Sequence, residues 1–584
     1  MTPNTKVSEA GKPPSVPGPL LRVPQGTEIR ASVHNSLETD TLTVHVPATA
    51  RGAESEEPGD SVIVPPGETR ELRVRVTAPG NYFYRGTTGP PYSTRAGMRG
   101  LLVGALVVDT ANTARPHRDR IFMITLAPDS VAANPAGSPG FAVFAINGRS
   151  WPHTERIAAM VGDTLHWRII NASNDVHPLH LHGFYFRVDT LAGALVRAQG
   201  QGAPRRMVVT ERMLPFTTMS MTWSPDRAGN WLFHCHFQLH LVPETAPPIG
   251  IQLAGGAAEP HEMRDTVNHA LTGMAGLVLG VNVAPRPGAR STADTTRRRR
   301  RLRLVAVQDP GFPDSARSMR FILEEPHGKV PRLEARPGFS PTISLIRGEP
   351  VSITIVNHLH EPTAVHWHGI ELDDSYYDGV AGFSGAGTRL APPIAPGDSF
   401  EARFTPPRSG TFMYHSHINE VAQHAAGLLG ALIVRDPPGH VAGDEAIFFL
   451  KGARRVGPGV ANPLEINGTL SPDTVVLHVG KPARLRFIGL TTINPNAAVS
   501  LTARPDSSLA NGRDTMVVQW RPLAKDGADI PELARTPRRA RQIISMGETY
   551  DFEFVPRSTG NLRIEVRGGG PGGRLLARAP IRVE

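Results

Sequence analysis

The sequence has almost no cysteine and no long apolar run, the two features typical of disulfide-stabilised proteins and of membrane proteins. It contains one cysteine in 584 residues, which excludes an intrachain disulfide. No stretch reaches the roughly 20 apolar residues of a membrane-spanning helix. The N-terminal residues also lack the apolar core of a signal peptide. We therefore expect no membrane contact, and a chain that is either cytoplasmic or given without its targeting segment.

The sequence also lacks the signals of a nucleic-acid partner. Its net charge of +9 is small for this length, and no basic and aromatic repeat accompanies it. Five consecutive arginines, Arg297 to Arg301, follow a stretch rich in Pro, Gly, Ser and Thr. We interpret this region as a solvated linker, with a docking site for an acidic partner as the alternative.

Turn-forming residues, by contrast, are abundant. The chain has 58 glycines and 55 prolines, and proline fits poorly inside helices and central strands. Between the turns, polar and apolar residues alternate with the period of a β-strand, for example over residues 27–33, 71–76 and 351–356. A chain of this length cannot fold around a single core. We predict an all-β protein of several β-sandwich domains, with one short helix over residues 420–428.

The two halves of the chain resemble each other. Residues 43–47 and 79–87 resemble residues 364–368 and 409–417, and residues 228–236 resemble residues 559–567. This pattern predicts a tandem duplication of a two-domain unit. The predicted division is domain 1 at residues 1–112, domain 2 at 113–283, an arginine-rich linker at 284–303, domain 3 at 304–438 and domain 4 at 439–584.

The outer domains lack the polar residues that the inner domains carry. Domain 1 has Arg85 where domain 3 has His415, and domain 4 has Val566 where domain 2 has Cys235. Domain 4 also reads Asn-Pro-Asn-Ala over residues 494–497, where domain 2 reads His-Pro-Leu-His over residues 177–180. We therefore expect domains 1 and 4 to bind no metal, and domains 2 and 3 to share the chemistry.

The single cysteine lies between two histidines, His234 and His236. Alternate residues of a strand face the same side, so Cys235 points away from both histidines and one strand can serve two metal sites. Cys235 with His177 and His240 forms a His₂Cys set, which is typical of a blue-copper electron-transfer site.

Eight further histidines form four His-x-His pairs. Imidazole suits copper, and eight neutral donors can hold three copper ions with open positions for O₂. Zinc is disfavoured, because its sites use compact sets of Cys and His and this chain has one cysteine. The four pairs are His180 and His182, His234 and His236, His366 and His368, and His415 and His417.

These motifs resemble those of the multicopper oxidases, the superfamily of laccase, ascorbate oxidase and ceruloplasmin. The resemblance implies four cupredoxin-like Greek-key domains and four copper ions. Type 1 copper would be bound by His177, Cys235 and His240, and type 2 copper by His180 and His366. The two type 3 ions would be bound by His182, His234, His236, His368, His415 and His417.

The resemblance also implies an activity. A small reducing substrate would give single electrons to type 1 copper, and Cys235 would pass them to His234 and His236. The cluster would then reduce O₂ to two waters with four electrons. Phenols are the expected substrates, and oxidation of Fe(II), Mn(II) or Cu(I) is the alternative. A copper nitrite reductase or a simple electron carrier would leave the eight paired histidines unexplained. The relatives imply a periplasmic or secreted location.

The order of the motifs differs from that of three-domain laccases, where His-Trp-His-Gly and His-Ser-His come first and His-Cys-His comes last. Here His-Cys-His lies in domain 2 and His-Trp-His-Gly in domain 3. We therefore expect the cluster at the interface of domains 2 and 3 within one chain. A cluster shared between the chains of an oligomer is the alternative.

Further positions are compared with the family pattern. Asp378 resembles the acid that follows His-Trp-His-Gly and is assigned to proton delivery. The family's second acid is replaced by Gln238, and Glu420 is a candidate substitute. The position of the axial ligand holds Thr245, which predicts a raised potential if no methionine ligates. Histidines without paired spacing, such as His424, are expected at the surface.

Overall fold

The described part of the chain is dominated by β-strands, which confirms the predicted all-β class. The predicted short helix is present as α1 (Glu420–Ala426), and Gly427, with a positive φ of 120°, ends it. Among the described residues, three short 3-10 helices lie at Gln238–His240, Ser375–Tyr377 and Glu532–Ala534. No helix among the described residues is long and apolar enough to cross a membrane. The computed structural model describes residues 15–47, 61–89, 102–113, 116, 118–128, 142–192, 206–241, 270, 273–287, 298–310, 318–324, 336–437, 443–452, 464–491, 496–503, 518–570 and 572–584.

Four consecutive stretches of the chain each form two sheets, which we call sheet pairs 1 to 4. The strands of sheet pair 1 are β1 (Gly18–Pro24), β2 (Glu28–His34), β3 (Leu42–His45), β4 (Ser61–Val64), β5 (Thr69–Arg75), β6 (Gly80–Thr87) and β7 (Val103–Asp109). One sheet has the order β1-β7-β6-β3-β4, and β2 pairs with β5 in the other. Alternating residues such as Leu72, Val74 and Leu106 form a core between them.

Sheet pair 2 carries the cysteine. Its strands are β8 (Asp119–Pro128), β9 (Ala142–Ile146), β10 (Arg156–Met160), β11 (Leu165–Asn171), β12 (His177–Leu181), β13 (Phe186–Ala192), β14 (Arg206–Val208), β15 (Thr210–Met213), β16 (Thr218–Trp223), β17 (Gly229–Cys235) and β18 (Val278–Ala284). The sheets have the orders β10-β18-β17-β12-β15 and β14-β13-β16-β11-β8-β9. Phe122, Trp223 and Phe233 pack edge-on around Trp167 between them.

Sheet pair 3 carries the other histidine motifs. Its strands are β19 (Arg300–Gln308), β20 (Met319–Glu324), β21 (Ile343–Ile346), β22 (Val351–Asn357), β23 (Val365–His366), β24 (Gly385–Ala386), β25 (Arg389–Leu390), β26 (Ser399–Phe404), β27 (Gly410–Ser416) and β28 (Leu429–Arg435). The main sheets have the orders β20-β19-β22-β26 and β21-β28-β27-β23. The short strand β24 instead pairs with β17 of sheet pair 2, and both sheet pairs contribute to one continuous buried apolar cluster. The two sheet pairs are therefore packed as one body.

Sheet pair 4 has an apolar core of its own. Its strands are β29 (Asp444–Gly452), β30 (Leu464–Ile466), β31 (Val475–Leu477), β32 (Ala483–Leu490), β33 (Ala497–Ala503), β34 (Gln519–Lys525), β35 (Ala528–Asp529), β36 (Arg538–Arg539), β37 (Arg541–Ile544), β38 (Thr549–Phe554), β39 (Gly560–Gly568) and β40 (Leu575–Val583). The sheets have the orders β30-β29-β32-β38-β34-β35 and β31-β40-β39-β33-β37. We propose that sheet pairs 1 to 4 are the four predicted domains.

The predicted linker ends earlier than expected, because β19 begins at Arg300. In this strand the exposed Arg301 and Arg303 alternate with the buried Leu302 and Leu304. The charge of the arginines hides the strand period in the sequence. Of the arginine run, Arg297 lies outside the described residues.

The strand register corrects the alignment of domains 2 and 4. In sheet pair 2, His180 lies opposite His234, and in sheet pair 4, Ser500 lies opposite Glu565. The counterpart of His180 is therefore Ser500 and not Ala497, a shift of three residues. The similar Asn-Pro and His-Pro steps caused the error, because they occur at different distances from the strands.

Removal of the Trp520 side chain should destabilise sheet pair 4. Trp520 is buried and stacks on Phe552 with ring centroids 4.0 Å apart. We expect Trp520→Ala to reduce the free energy of unfolding by roughly 3–5 kcal/mol. In calorimetry, the midpoint temperature of one unfolding transition should fall. Val476→Ala, at an exposed position of the same sheet pair, is the control. An unchanged profile for Trp520→Ala would contradict this packing.

Candidate metal centre

Adjacent strands bring the cysteine and its two predicted partners together. β12 and β17 are neighbours, with Leu179 opposite Cys235, and the 3-10 helix after β17 returns His240 to the same side. The Sγ atom of Cys235 lies 3.4 Å from Nδ1 of His240 and 3.7 Å from Nδ1 of His177. The two Nδ1 atoms are 3.0 Å apart. We call these three residues the cysteine site.

The surroundings of the cysteine site orient its ligands. The outer nitrogen of His177, Nε2, lies 2.7 Å from the Ser173 hydroxyl, so Nδ1 faces the cysteine. The ring of Phe144 packs against His177 and His240, and that of Phe237 packs against His240. The predicted axial position, Thr245, lies outside the described residues.

The cysteine site fits a metal ion. Burial lowers the pKa of His177 to about 3, which keeps its imidazole neutral and its lone pair available. Burial also raises the pKa of the Cys235 thiol, so a thiolate here needs a positive charge beside it. A soft metal cation supplies that charge, and the His₂Cys donor set is the one that copper electron-transfer sites use.

The eight paired histidines form a second centre, on the other face of β17. Its members are buried, and their ligand nitrogens fall into three groups, two of which share His368. We call this set the eight-histidine centre. The groups are His182 with His234 and His417, His236 with His368 and His415, and His180 with His366 and His368.

Sheet pairs 2 and 3 contribute equally to the eight-histidine centre. In sheet pair 2, His180 of β12 lies opposite His234 of β17, and in sheet pair 3, His366 of β23 lies opposite His415 of β27. The other histidine of each pair lies two residues further along the chain. These are His182, His236, His368 and His417. All eight meet at the boundary of the two sheet pairs within one chain.

Six of the eight imidazoles have one nitrogen fixed by an oxygen acceptor. Such a hydrogen bond selects the tautomer and turns the other nitrogen inward, as is typical of metal-ligating histidines. The acceptors are Val209 O for His180, the Asp378 carboxylate for His182, Cys235 O for His234, Asp378 O for His366, Gly547 O for His368 and Ser416 O for His415, at 2.7 to 2.9 Å.

Inward-facing nitrogens without a hydrogen-bond partner provide the test of fit for metal. They include Nδ1 of His368 and Nε2 of His415, and neither nitrogen of His236 has a hydrogen-bond partner. A buried polar atom without a partner costs roughly 1–3 kcal/mol, and a metal ion would remove that cost. Burial, and to a lesser degree the neighbouring imidazoles, lower the pKa of His180, His236 and His368 well below the usual value, so these rings are neutral donors.

Asp378 lies inside the eight-histidine centre. Its carboxylate accepts hydrogen bonds from Nδ1 of His182 at 2.7 Å and from the Ser384 hydroxyl, and its carbonyl oxygen accepts from Nδ1 of His366. A single residue therefore orients ligands of two groups. Glu420, at the start of α1, lies 3.1 Å from Nδ1 of His417, and burial raises its pKa to about 8.

Two histidine-rich contacts differ from the expectations. His424 is buried rather than at the surface, because α1 turns it against His415, where its Nε2 donates to Ser416 O. The side chain of Gln238 contacts Nδ1 of His424, which packs against His415 of the eight-histidine centre. The short helix predicted over residues 420–428 was the available signal for His424, since a seven-residue helix beside a buried motif must bury one face.

Contacts from distant parts of the chain were not predicted at all. Thr210 and Gly547 both lie beside His368, and no spacing in the sequence links them to the histidine motifs. Thr210 reaches the centre because β15 pairs with β12, and Gly547 reaches it because sheet pair 4 packs against sheet pairs 2 and 3.

The comparison with known proteins agrees with the donor set. Two family models described as multicopper oxidase match the chain, one over residues 7–111 and again over 337–439, the other over residues 124–248. Together they cover more than half of the chain. One model matches parts of both sheet pair 1 and sheet pair 3, which supports the predicted duplication.

Individual relatives match over shorter regions. Multicopper oxidase VdtB of Byssochlamys spectabilis is 43% identical over 101 residues, which are 17% of this chain and 14% of that protein. Laccase-2 of Botryotinia fuckeliana is 40% identical over 169 residues, 25% of this chain and 28% of the relative. L-ascorbate oxidase of Cucurbita maxima is 41% identical over 100 residues, 17% and 16% of the two chains. The matched region thus spans less than a third of each relative.

Solved structures give a weaker likeness. The laccase-like multicopper oxidase CueO from Ochrobactrum sp. is 20% identical, with a TM-score of 0.35 over 49% of this chain and 61% of that chain. The blue copper oxidase from Nitrosomonas europaea is 22% identical, with a TM-score of 0.35 over 48% and 85%.

The two centres should lose copper separately. We expect four copper ions in the loaded protein and three in Cys235→Ser, because the eight-histidine centre does not use the sulfur. The intense blue absorption of a thiolate-bound copper should vanish in this variant. Metal analysis and visible spectroscopy measure both quantities. His153→Ala, at a histidine outside both centres, is the control, and a blue band that survives in Cys235→Ser would contradict the assignment.

Proposed function

Because the chain belongs to the multicopper oxidase family, we propose that it oxidises a small one-electron donor at the cysteine site and reduces O₂ at the eight-histidine centre. The reaction consumes four electrons and four protons per O₂ and releases two waters. The observation that carries this proposal is the shared strand β17, whose Cys235 faces one centre while His234 and His236 reach the other.

The proposed copper ligands follow the three groups of imidazoles. His177, Cys235 and His240 hold type 1 copper, and His180 and His366 hold type 2 copper. The type 3 pair is held by two sets of three: His182, His234 and His417, and His236, His368 and His415. When bound, copper supplies the reversible one-electron chemistry that this reaction needs.

The residues around Cys235 give electrons a short path between the centres. Cys235 is bonded through the main chain to both His234 and His236. A second connection exists through a hydrogen bond, because Nδ1 of His234 donates to the Cys235 carbonyl oxygen at 2.9 Å. Both connections lie within one buried strand, shielded from solvent.

Phenols are the proposed donors. His240 is the most exposed ligand of the cysteine site, and the aromatic ring of Phe237, half-buried, packs against it. An aromatic donor can stack at such a surface. Oxidation of Fe(II), Mn(II) or Cu(I) stays the alternative, and carboxylates beside His240 would favour it. A small reducing substrate and O₂ are thus the proposed partners, and a periplasmic or secreted location remains a prediction.

Asp378 is proposed to act on the eight-histidine centre through the ligands that it orients. Its role as a proton donor stays a prediction from the resemblance. The hydrogen bond from Nδ1 of His182 requires an acceptor at Oδ2 of Asp378. An asparagine has a single side-chain oxygen, so it can place its NH₂ donor at this position instead.

Oxygen uptake with a panel of donors tests the function. The wild-type protein loaded with copper should consume O₂ with phenols, and far more slowly with Fe(II), Mn(II) or Cu(I). Cys235→Ser should consume no O₂ with any donor, because it cannot accept the first electron. Faster uptake with one of the metal ions than with every phenol would replace the phenol proposal by the metal-ion alternative. No uptake with either class would refute the oxidase.

Asp378→Asn should weaken the eight-histidine centre and leave the cysteine site unchanged. The loss of an acceptor behind a ligating histidine typically costs roughly 10–100-fold in metal affinity or activity. Copper retention against a chelator and the intensity of the blue band report on the two centres separately. Asp398→Asn, at an exposed aspartate, provides the control. Equal copper retention in the two variants would show that Asp378 does not orient the ligands.

A further inference from the structure

Sheet pair 4 reaches the eight-histidine centre, although it contributes no residue to the metal-ligand groups found among the described residues. The carbonyl oxygen of Gly547 accepts a hydrogen bond from Nε2 of His368 at 2.8 Å. Gly547 lies in the turn between β37 and β38, and its φ of 78° is in the left-handed region. The turn thus supplies the acceptor that directs Nδ1 of His368 inward.

The turn leaves no room for a side chain at Gly547. A Cβ atom there would lie 2.9 Å from two ring atoms of His236 and 3.1 Å from Cε1 of His368. These distances are shorter than normal van der Waals contacts. The glycine therefore allows the main chain of sheet pair 4 to touch one imidazole from sheet pair 2 and one from sheet pair 3.

A buried ion-pair cluster ties this turn to sheet pair 2. Nζ of Lys525 donates to the carboxylates of Glu211 at 2.9 Å and Glu548 at 2.8 Å. Glu548 closes the turn, because its carboxylate accepts from the main-chain N–H of Ser545. Burial raises the pKa of Glu211, but the charges of Arg206 and Lys525 outweigh this effect and lower it to about 2, so the ion pair is charged at neutral pH.

Asp526, the residue after Lys525, binds the segment of sheet pair 2 that forms hydrogen bonds with His180. Its carboxylate accepts from the main-chain N–H groups of Val209 at 3.2 Å and Thr210 at 3.0 Å. The carbonyl oxygen of Val209 in turn accepts from Nδ1 of His180. The Thr210 hydroxyl lies 3.1 Å from that nitrogen and 3.2 Å from Nε2 of His368.

The two imidazoles reached in this way are a stacked pair. The rings of His180 and His368 lie 3.8 Å apart, with an angle of 14° between their planes. One ring comes from sheet pair 2 and the other from sheet pair 3. Sheet pair 4 supplies the acceptor of His368 and binds the N–H of Val209, whose carbonyl oxygen is the acceptor of His180, so it fixes the orientation of the two rings relative to each other.

We propose that sheet pair 4 is a positioning element of the eight-histidine centre, in which Gly547 and Asp526 fix the stacked imidazoles of His368 and His180. This inference rests on the proposed copper function of that centre. The loss of metal ligands in sheet pair 4 thus leaves it with a second role, which its own fold performs through main-chain and carboxylate contacts.

The substitution Gly547→Ala tests the contact with His368. We expect the copper affinity of the eight-histidine centre to fall roughly 10–100-fold, as for other groups that orient metal ligands, while the blue band stays intact. Competition with a Cu(I) chelator measures the affinity. Gly480→Ala is the matched control, because Gly480 has a similar φ of 74° in the same sheet pair and a Cβ there meets no atom within 4 Å. Equal copper affinity in the two variants would overturn the role of Gly547.

Asp526→Asn tests the second contact without a change of volume. The amide keeps one acceptor oxygen and loses the other. Either the main-chain N–H groups of Val209 and Thr210 or the N–H of Thr549 therefore lose their acceptor. We expect a changed electron paramagnetic resonance signature of the copper held by His180, with the melting temperature of the copper-free chain close to that of Asp529→Asn. Asp529 is an exposed aspartate of the same hairpin.

The outcomes separate the two proposals. If the wild-type chain takes up four copper ions and each variant behaves like its control, the proposed oxidase function stands and the positioning role is refuted. A wild-type chain that binds no copper at the eight histidines refutes both. A variant signature unchanged from that of its control, for both Gly547 and Asp526, contradicts positioning by sheet pair 4.

Discussion

The structure depends on the need of every buried imidazole to find partners for two nitrogens. Eight such rings lie between sheet pairs 2 and 3, and each is at most 1% exposed. In six of them one nitrogen donates to an oxygen that the fold holds in place, and the ring then has a single inward orientation. Inward-facing nitrogens such as Nδ1 of His368 and Nε2 of His415 have no hydrogen-bond partner, and a bound metal ion would supply one. The acceptors are therefore as much a part of the site as the ligands.

Strand geometry explains how few residues build two centres. Because alternate side chains of β17 face opposite sides, Cys235 belongs to one centre and its neighbours to the other. The pairing of β12 with β17 adds His177 to the first centre and His180 to the second. In sheet pair 4 the positions of Cys235 and His234 are held by Val566 and Glu565, and Glu565 forms ion pairs with Arg563 and Arg567.

The motif spacing predicted which histidines lie together with each other and with the cysteine, because side chains two residues apart on one strand share a face whatever the rest of the fold does. The all-β class followed from strand periodicity and abundant turns. Features that depend on packing between distant segments were not accessible. The start of β19 at Arg300 was hidden by its charge, and the buried position of His424 depends on how α1 docks. Gly547 and Asp526 lack any local signal, since their partners are more than 170 residues away.

The central claim is that one chain forms two separate copper centres, one at Cys235 and one shared by sheet pairs 2 and 3. An anomalous difference map from crystals of the copper-loaded protein, measured at the copper absorption edge, tests this claim most directly. We predict one peak beside Cys235, His177 and His240, and three peaks among the eight paired histidines. A map without peaks among those histidines, or with copper bound there by residues of a second chain, would contradict it.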